Sequence, residues 1–334
     1  MKRFSLLSII LLAVLSPLAC SKTFTLAPLP PSMPTITPSP TPTPAASICG
    51  TSAHPYVLQW GSPGGGNIQF EQPFGMATGS NGNIYVTDSG NCRVMEFTAS
   101  GTYVAQLGSY GTGTGEMEYP AGVAIDGSGN VYVADLFNDR VDEFTSSGTF
   151  ITNWGTYGTG AGQFAQPYGI AIDSSGNLYV SQSTGDCVQK FTTSGTFLLQ
   201  MGTAGSGNGQ FQGPEAVAVA NGNVYVADTG NNRIEIFTTS GTFAANWGSS
   251  GTGNGKFTQP QGVGVDSCGN VYVADTGNAR VQEFTSAGTY QTQWGVLGAG
   301  NGNFQEPAGI TFDASGNIYI SDATRCSVQV FSPN

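Results

Sequence analysis

Few side chains in this 334-residue chain could carry acid–base or covalent chemistry. The one histidine, His54, stands beside a proline-rich stretch. Ser–His–Asp hydrolysis, Cys–His proteolysis and histidine-ligated metal centres therefore lack their parts. The six cysteines, Cys20, Cys49, Cys92, Cys187, Cys268 and Cys326, include no C-x-x-C pair and no zinc-finger spacing. Carboxylates are more regular. Asp88, Asp135, Asp228 and Asp275 are each followed five positions later by an arginine, Arg93, Arg140, Arg233 and Arg280. A ring of carboxylates could hold a metal, but a matched arginine reads as a structural ion pair that pins a loop. The third copy of the pattern has Gln182 and Cys187 in these places, and the sixth has Asp322 with Ser327 and Arg325. Joint loss in the third copy is what a paired role predicts. No catalytic residue, metal site or cofactor is assigned.

The elements that must position these groups are repeats. A tyrosine recurs at Tyr85, Tyr132, Tyr179, Tyr225, Tyr272 and Tyr319, spaced 47, 47, 46, 47 and 47. A proline (Pro73, Pro120, Pro167, Pro214, Pro260, Pro307) and a phenylalanine (Phe97, Phe144, Phe191, Phe237, Phe284, Phe331) keep step. Each copy holds four short runs of alternating polarity separated by glycine turns, as in Gly122 to Asp126, Val131 to Asp135, Arg140 to Phe144 and Thr149 to Trp154. A period near 47 with four strands predicts an all-β fold, a six-bladed β-propeller of four-stranded antiparallel blades. The strands are designated a to d from the channel outward. Composition agrees: 49 glycines weaken any helix, and 39% apolar content is too rich for disorder.

The last copy ends after its strand c, whereas Tyr56 to Gly61 (YVLQWG) matches the strand d of Tyr290 to Gly295 (YQTQWG). The N-terminal strand is therefore expected to complete blade six and close the ring.

Three runs carry a family resemblance: Phe257 to Asp266 (F-x-x-P-x-G-V-x-V-D), Gly269 to Val273 and Asp275 to Val281. They resemble the NHL family of six-bladed propellers over about residues 56–331. The resemblance implies the fold. It does not choose an activity, because the family takes in lyases, receptor ectodomains and protein- or RNA-binding modules. Lyases of this fold use channel-facing histidines, which cannot be carried over here, and no RING-type Cys/His cluster is present.

Departures from six-fold repetition mark where a one-sided ligand could bind. The d–a connections, such as Gly251-Thr252-Gly253-Asn254-Gly255, are glycine-rich. A strand follows them, so they read as turns between blades and not as phosphate loops. Phe70, Phe164, Phe211, Phe257 and Phe304, with Met117 in the second copy, should then plug the blade interfaces. At the channel mouth on the face of the b–c and d–a loops stand Phe74, Ala121, Tyr168, Glu215, Gln261 and Ala308, an unlike set. The second b–c loop reads Leu136-Phe137-Asn138-Asp139 where its sisters read Thr-Gly-Asn. Phe74, Leu136, Phe137, Tyr168, Glu215 and Gln261 are the candidate ligand residues. Glu215 has no obvious acidic partner there, which leaves carboxylate catalysis incomplete. Cys92 and Cys326 hold the same loop position in adjoining blades and form the preferred disulfide; Cys49 with Cys268 is the second candidate and Cys187 is expected free.

Residues 1–20 read as an export signal: Lys2 and Arg3, an apolar core, then Leu18-Ala19-Cys20. That ending resembles the lipobox of bacterial lipoproteins, which implies lipidation of Cys20 and a cell-envelope location, with plain secretion as the alternative. Residues 21–50 form a Pro/Thr-rich linker and 51–334 the propeller. Seven cations against 21 acids after residue 50 leave the propeller at −14. Nucleic acid and anionic lipid are poor partners for that surface. The expectation is a non-catalytic, membrane-tethered monomer that binds a protein, peptide or glycan of the cell envelope. Alternatives are a carboxylate- or metal-dependent lyase or hydrolase in the channel, and a structural envelope spacer.

Overall fold

The computed structural model describes residues 54–333. Six four-stranded antiparallel sheets surround a channel, with consecutive strands of each copy running from the axis outward. In the second copy the strands are Pro120–Ile125, Val131–Asp135, Arg140–Phe144 and Phe150–Trp154, within two residues of the sequence expectation at every end. The described residues contain no α-helix; single 3₁₀ turns fill three b–c loops, as at Thr276–Asn278. The glycine-rich d–a loops close on themselves by one or two parallel bridges, such as Ser250 with Phe257. The signal, Cys20, the linker and Cys49 lie outside the described residues.

Ring closure follows the expected route. Tyr56–Trp60 pairs antiparallel with Ser327–Phe331, placing Gln59 opposite Gln329 and Trp60 opposite Val328. It becomes the outermost strand of blade six, beside Ile318–Asp322 and Pro307–Phe312. Trp60 also reaches the next blade: its ring lies 5.8 Å from Phe97 there and 6.0 Å from Tyr319 of its own blade. Gly101, at φ +81°, passes so close that an added Cβ would sit 2.7 Å from the indole. Only glycine combines that backbone with that contact. Between blades, Phe70, Phe164, Phe211, Phe257, Phe304 and Met117 are all fully buried.

His54 does not stand apart from the globular body. It is 6% exposed, Nε2 lies 2.9 Å from the buried Glu283 Oε2, and its ring packs 4.5 Å from Trp294 and 5.7 Å from Tyr272. Nearby, the Ser332 amide donates to the Pro55 carbonyl at 3.0 Å. The histidine thus clasps the first strand onto blade five, where its ring nitrogens serve architecture.

The Asp–Arg pairs form at 2.8 Å (Asp88–Arg93), 3.3 Å (Asp135–Arg140), 2.8 Å (Asp228–Arg233) and 2.7 Å (Asp275–Arg280). Each does more than hold a b–c loop. Asp275 also accepts the Thr258 amide and the Asn278 side chain, while Arg280 donates to the carbonyls of Gly253 and Lys256 in the d–a loop. The pair therefore ties both loops of one face together. In blade three neutral amides take over: Gln182 accepts the Ala165 amide, and Gln189 donates to the Gly160 and Gln163 carbonyls. In blade six Arg325 reaches the equivalent Gly300 and Asn303 carbonyls.

One sequence expectation is overturned. Cys92 is disulfide-bonded but Cys326 is a free thiol, so these two do not staple the seam. Both occupy left-handed corners of their loops, with φ 55° and 53°, and the Cys326 sulfur turns back onto the Ala323 and Thr324 carbonyls. The seam is held by strand pairing and Trp60 instead. Cys268 is likewise disulfide-bonded, and Cys187 is free and buried.

Deleting residues 50–61 should remove the fourth strand of blade six and the Trp60 contacts, and lower the melting temperature by roughly 10 °C or more. Calorimetry and limited proteolysis check this; unchanged resistance would refute closure. Asp275→Ala should cost about 3–5 kcal/mol in chemical denaturation, since it leaves Arg280 buried without its partner.

Candidate ligand-binding face at the channel mouth

The innermost strands converge so tightly that side chains are excluded just inside the mouth. A Cβ on Gly262 would lie 1.7 Å from the Ala308 carbonyl oxygen, and one on Gly309 would lie 2.2 Å from that of Phe74. Hydroxyls fix two carbonyls of this ring: Ser321 Oγ donates to Phe74 O at 2.6 Å, and Thr87 Oγ1 to Ala121 O at 2.9 Å. The ring of small residues leaves a cavity of about 70 Å³ under the mouth, floored by Met76, Val123, Ile170, Val217, Val263 and Ile310. Beyond that aliphatic floor the channel widens to about 230 Å³ and is lined by Ala, Val and Ile side chains, with Thr78, Thr311 and Phe312 near its far end.

Four of the six candidate residues converge on one side of the mouth. Phe74 and Tyr168 meet edge to face across Ala121, with centroids 5.0 Å apart and planes at 85°. Ala121, Tyr119 and Leu136 form a buried cluster against which Phe137 and Tyr168 pack. Leu136 is only 5% exposed, so it supports the patch from beneath and is not a surface contact as expected from its loop position. Glu215 and Gln261 follow Tyr168 on the next two blades, with Glu215 close enough to act on the Tyr168 and Tyr119 hydroxyls, and the Gln261 amide donates to the Glu215 carboxyl. Sequence reasoning missed Tyr119. Its ring lies 5.5 Å from Phe137, and its hydroxyl donates to Gln72 Oε1 at 3.1 Å. A signal existed: its counterparts before the recurrent proline are Gln72, Gln166, Gly213, Gln259 and Glu306, so an aromatic there breaks the repeat.

Electrostatically the mouth centres on Glu215. Burial pushes its carboxyl up to about 8, partly offset by the Gln261 hydrogen bond, and Oε2 is shut from solvent without a partner. Burial, reinforced by Glu215, holds the Tyr168 hydroxyl well above the usual phenol range. Tyr119 is raised for the same reasons, with Glu306 adding to the effect. Near neutral pH the mouth therefore holds a protonated acid beside the Tyr119 and Tyr168 rings. No group of three or more His, Cys, Asp or Glu among the described residues could hold a metal ion.

Because the folded-state value of Glu215 lies above its ordinary 4.5, its contribution to stability is full below that pH and is lost as pH rises toward about 8. Glu215→Gln should remove this loss. Measured by urea denaturation, the variant should gain on the parent between pH 5 and 8 by at most about 1.4 kcal/mol per pH unit. Parallel pH curves would contradict the burial of this carboxyl.

Comparison with solved structures returns propellers. A protein of unknown function from Bacteroides thetaiotaomicron aligns at TM-score 0.66 and 18% identity, covering 82% of this chain and 76% of that one. A gluconolactonase from Xanthomonas campestris aligns at 0.61 and 17%, covering 79% and 87%. A streptogramin B lyase aligns at 0.56 and 16%, covering 79% and 94%. At these identities the likeness extends to the fold alone. No curated protein sequence matches the chain. The NHL repeat, however, matches residues 70–97, 211–237, 257–284 and 304–331, each running from a plug phenylalanine of a blade to the recurrent phenylalanine of its strand c. Four of the six blades thus match the NHL repeat, and the chain is a closed six-bladed β-propeller that carries it.

Proposed function

We propose that this propeller is a non-catalytic binding module that takes a protein, peptide or glycan of the cell envelope at its channel-mouth face. Export, a lipid on Cys20 and the proline-rich spacer would present that face away from a membrane. The reading is carried by one observation: Phe74, Tyr168, Tyr119 and Phe137 gather on one side of an otherwise repetitive rim, with Phe137 and Tyr168 still partly accessible. Rigid aromatic side chains give large contact area at low entropic cost, and they anchor many protein interfaces.

A carboxylate-dependent lyase or hydrolase is the second reading, favoured by the protonated Glu215 in a fold shared with a lyase and a gluconolactonase. It lacks a second group placed as a base beside Glu215. A purely structural spacer would show no ligand at all.

The double variant Phe137→Asp, Tyr168→Ala should fold as the parent does, because both residues sit at the rim. On arrays of envelope peptides and glycans it should lose at least about tenfold in affinity, as expected for removal of interface anchors. Binding equal to the parent would exclude this face. Turnover of a lactone or glycoside substrate that Glu215→Gln abolishes would favour the enzyme instead.

A further inference from the structure

The channel mouth narrows the ligand further, provided that this face is the binding face. Glu215 Oε2 is shut from water and has no hydrogen-bond partner. An unpaired buried acceptor of this kind costs about 1–3 kcal/mol, which a ligand donor would recover. The Gln261 amide already serves the carboxyl, leaving a single free oxygen. A guanidinium fork wants two oxygens side by side, whereas an ammonium is a point charge that needs one. Among the described residues no lysine or arginine supplies a counter-charge to Glu215. The neighbours are aromatic: the Phe74 and Tyr168 rings stand together at the mouth, and Tyr119 and Tyr168 both feel the Glu215 charge. Ring faces attract cations and also pack against alkyl chains. The −14 charge of the globular portion draws cations toward the protein from a distance.

We propose that the mouth captures a primary ammonium group, the side-chain end of a lysine in a partner peptide, as the counter-ion of Glu215, with its alkyl stem against Phe74 and Tyr168. A neutral carboxyl would instead favour a carbonyl ligand. The two are separable by proton balance: docking an ammonium sends the Glu215 proton to solvent and leaves an ion pair, whereas docking a carbonyl keeps the proton in place.

The test titrates the whole protein calorimetrically with Nα-acetyl-lysine N-methylamide, and with the norleucine and arginine counterparts as controls. The lysine probe should bind at least about tenfold more tightly than either control, as one charge-assisted contact supplies. It should release a proton near pH 7, seen as a dependence of the heat on buffer ionisation enthalpy. Affinity should rise by up to about tenfold per pH unit from pH 6 to 8 and then level, following ionisation of Glu215. Tyr119 and Tyr168, the titratable groups facing Glu215, are both raised and stay protonated across that window. Glu215→Gln should abolish the preference and the pH dependence while leaving the fold intact. Equal binding of lysine and norleucine probes, or no binding by either, overturns the ammonium assignment. If Tyr168→Ala still weakens ligands found on the peptide and glycan arrays, the binding face survives that failure; if it does not, both readings fall.

Discussion

Pairing of Tyr56–Trp60 with Ser327–Phe331 carries the rest of the structure, because blade six would otherwise have three strands and an exposed edge. A propeller without closure is a row of sheets whose inner strands have no reason to converge. Convergence is what brings Gly262 and Gly309 against the neighbouring carbonyls and leaves a cavity under the mouth. The closing strand is fixed three ways: by its ladder, by Trp60 wedged under Gly101, and by His54 clasped to Glu283. These three contacts draw on blades six, one and five, so the N-terminal segment bridges both sides of its own seam.

Repetition and asymmetry divide the labour within this frame. The Asp–Arg pairs recur because every blade must tie its d–a loop to its b–c loop, and a buried pair with all its hydrogen bonds filled does so rigidly. Blade three shows that charge is dispensable: Gln182 and Gln189 reproduce the same backbone contacts with neutral amides. The mouth is the opposite case. Phe74, Ala121, Tyr168, Glu215, Gln261 and Ala308 occupy equivalent backbone positions, yet they range from methyl group to aromatic ring, amide and carboxyl. Alanine at two of them leaves space, and across Ala121 the rings of Phe74 and Tyr168 meet. A scaffold with six equal places can thus hold a one-sided site without altering its backbone.

Much of this was legible in the order of residues. A period of 47 with four alternating runs fixes blade number and strand count, and the displaced YVLQWG segment predicts closure, since strand alternation and turn chemistry are local. The plug phenylalanines follow from the same period. Differences among equivalent positions mark Phe74, Tyr168, Phe137, Glu215 and Gln261 in the sequence, but not whether they touch.

Tertiary structure decided what depends on distance and burial. It separated Cys92 from Cys326 as a bonded pair, since the Cys326 sulfur stays free and turns back onto carbonyls of its own loop. It took His54 from the margin into the body, since a histidine next to a linker gains a buried carboxylate only when the chain ends meet. It sank Leu136 beneath Tyr119 and Phe137, and it closed Glu215 Oε2 off from solvent with no side chain or backbone group paired to it. Sequence determines which groups each blade contributes. Which groups share a desolvated space is set only when six copies converge on one axis, for there contact and dielectric depend on neighbours remote along the chain.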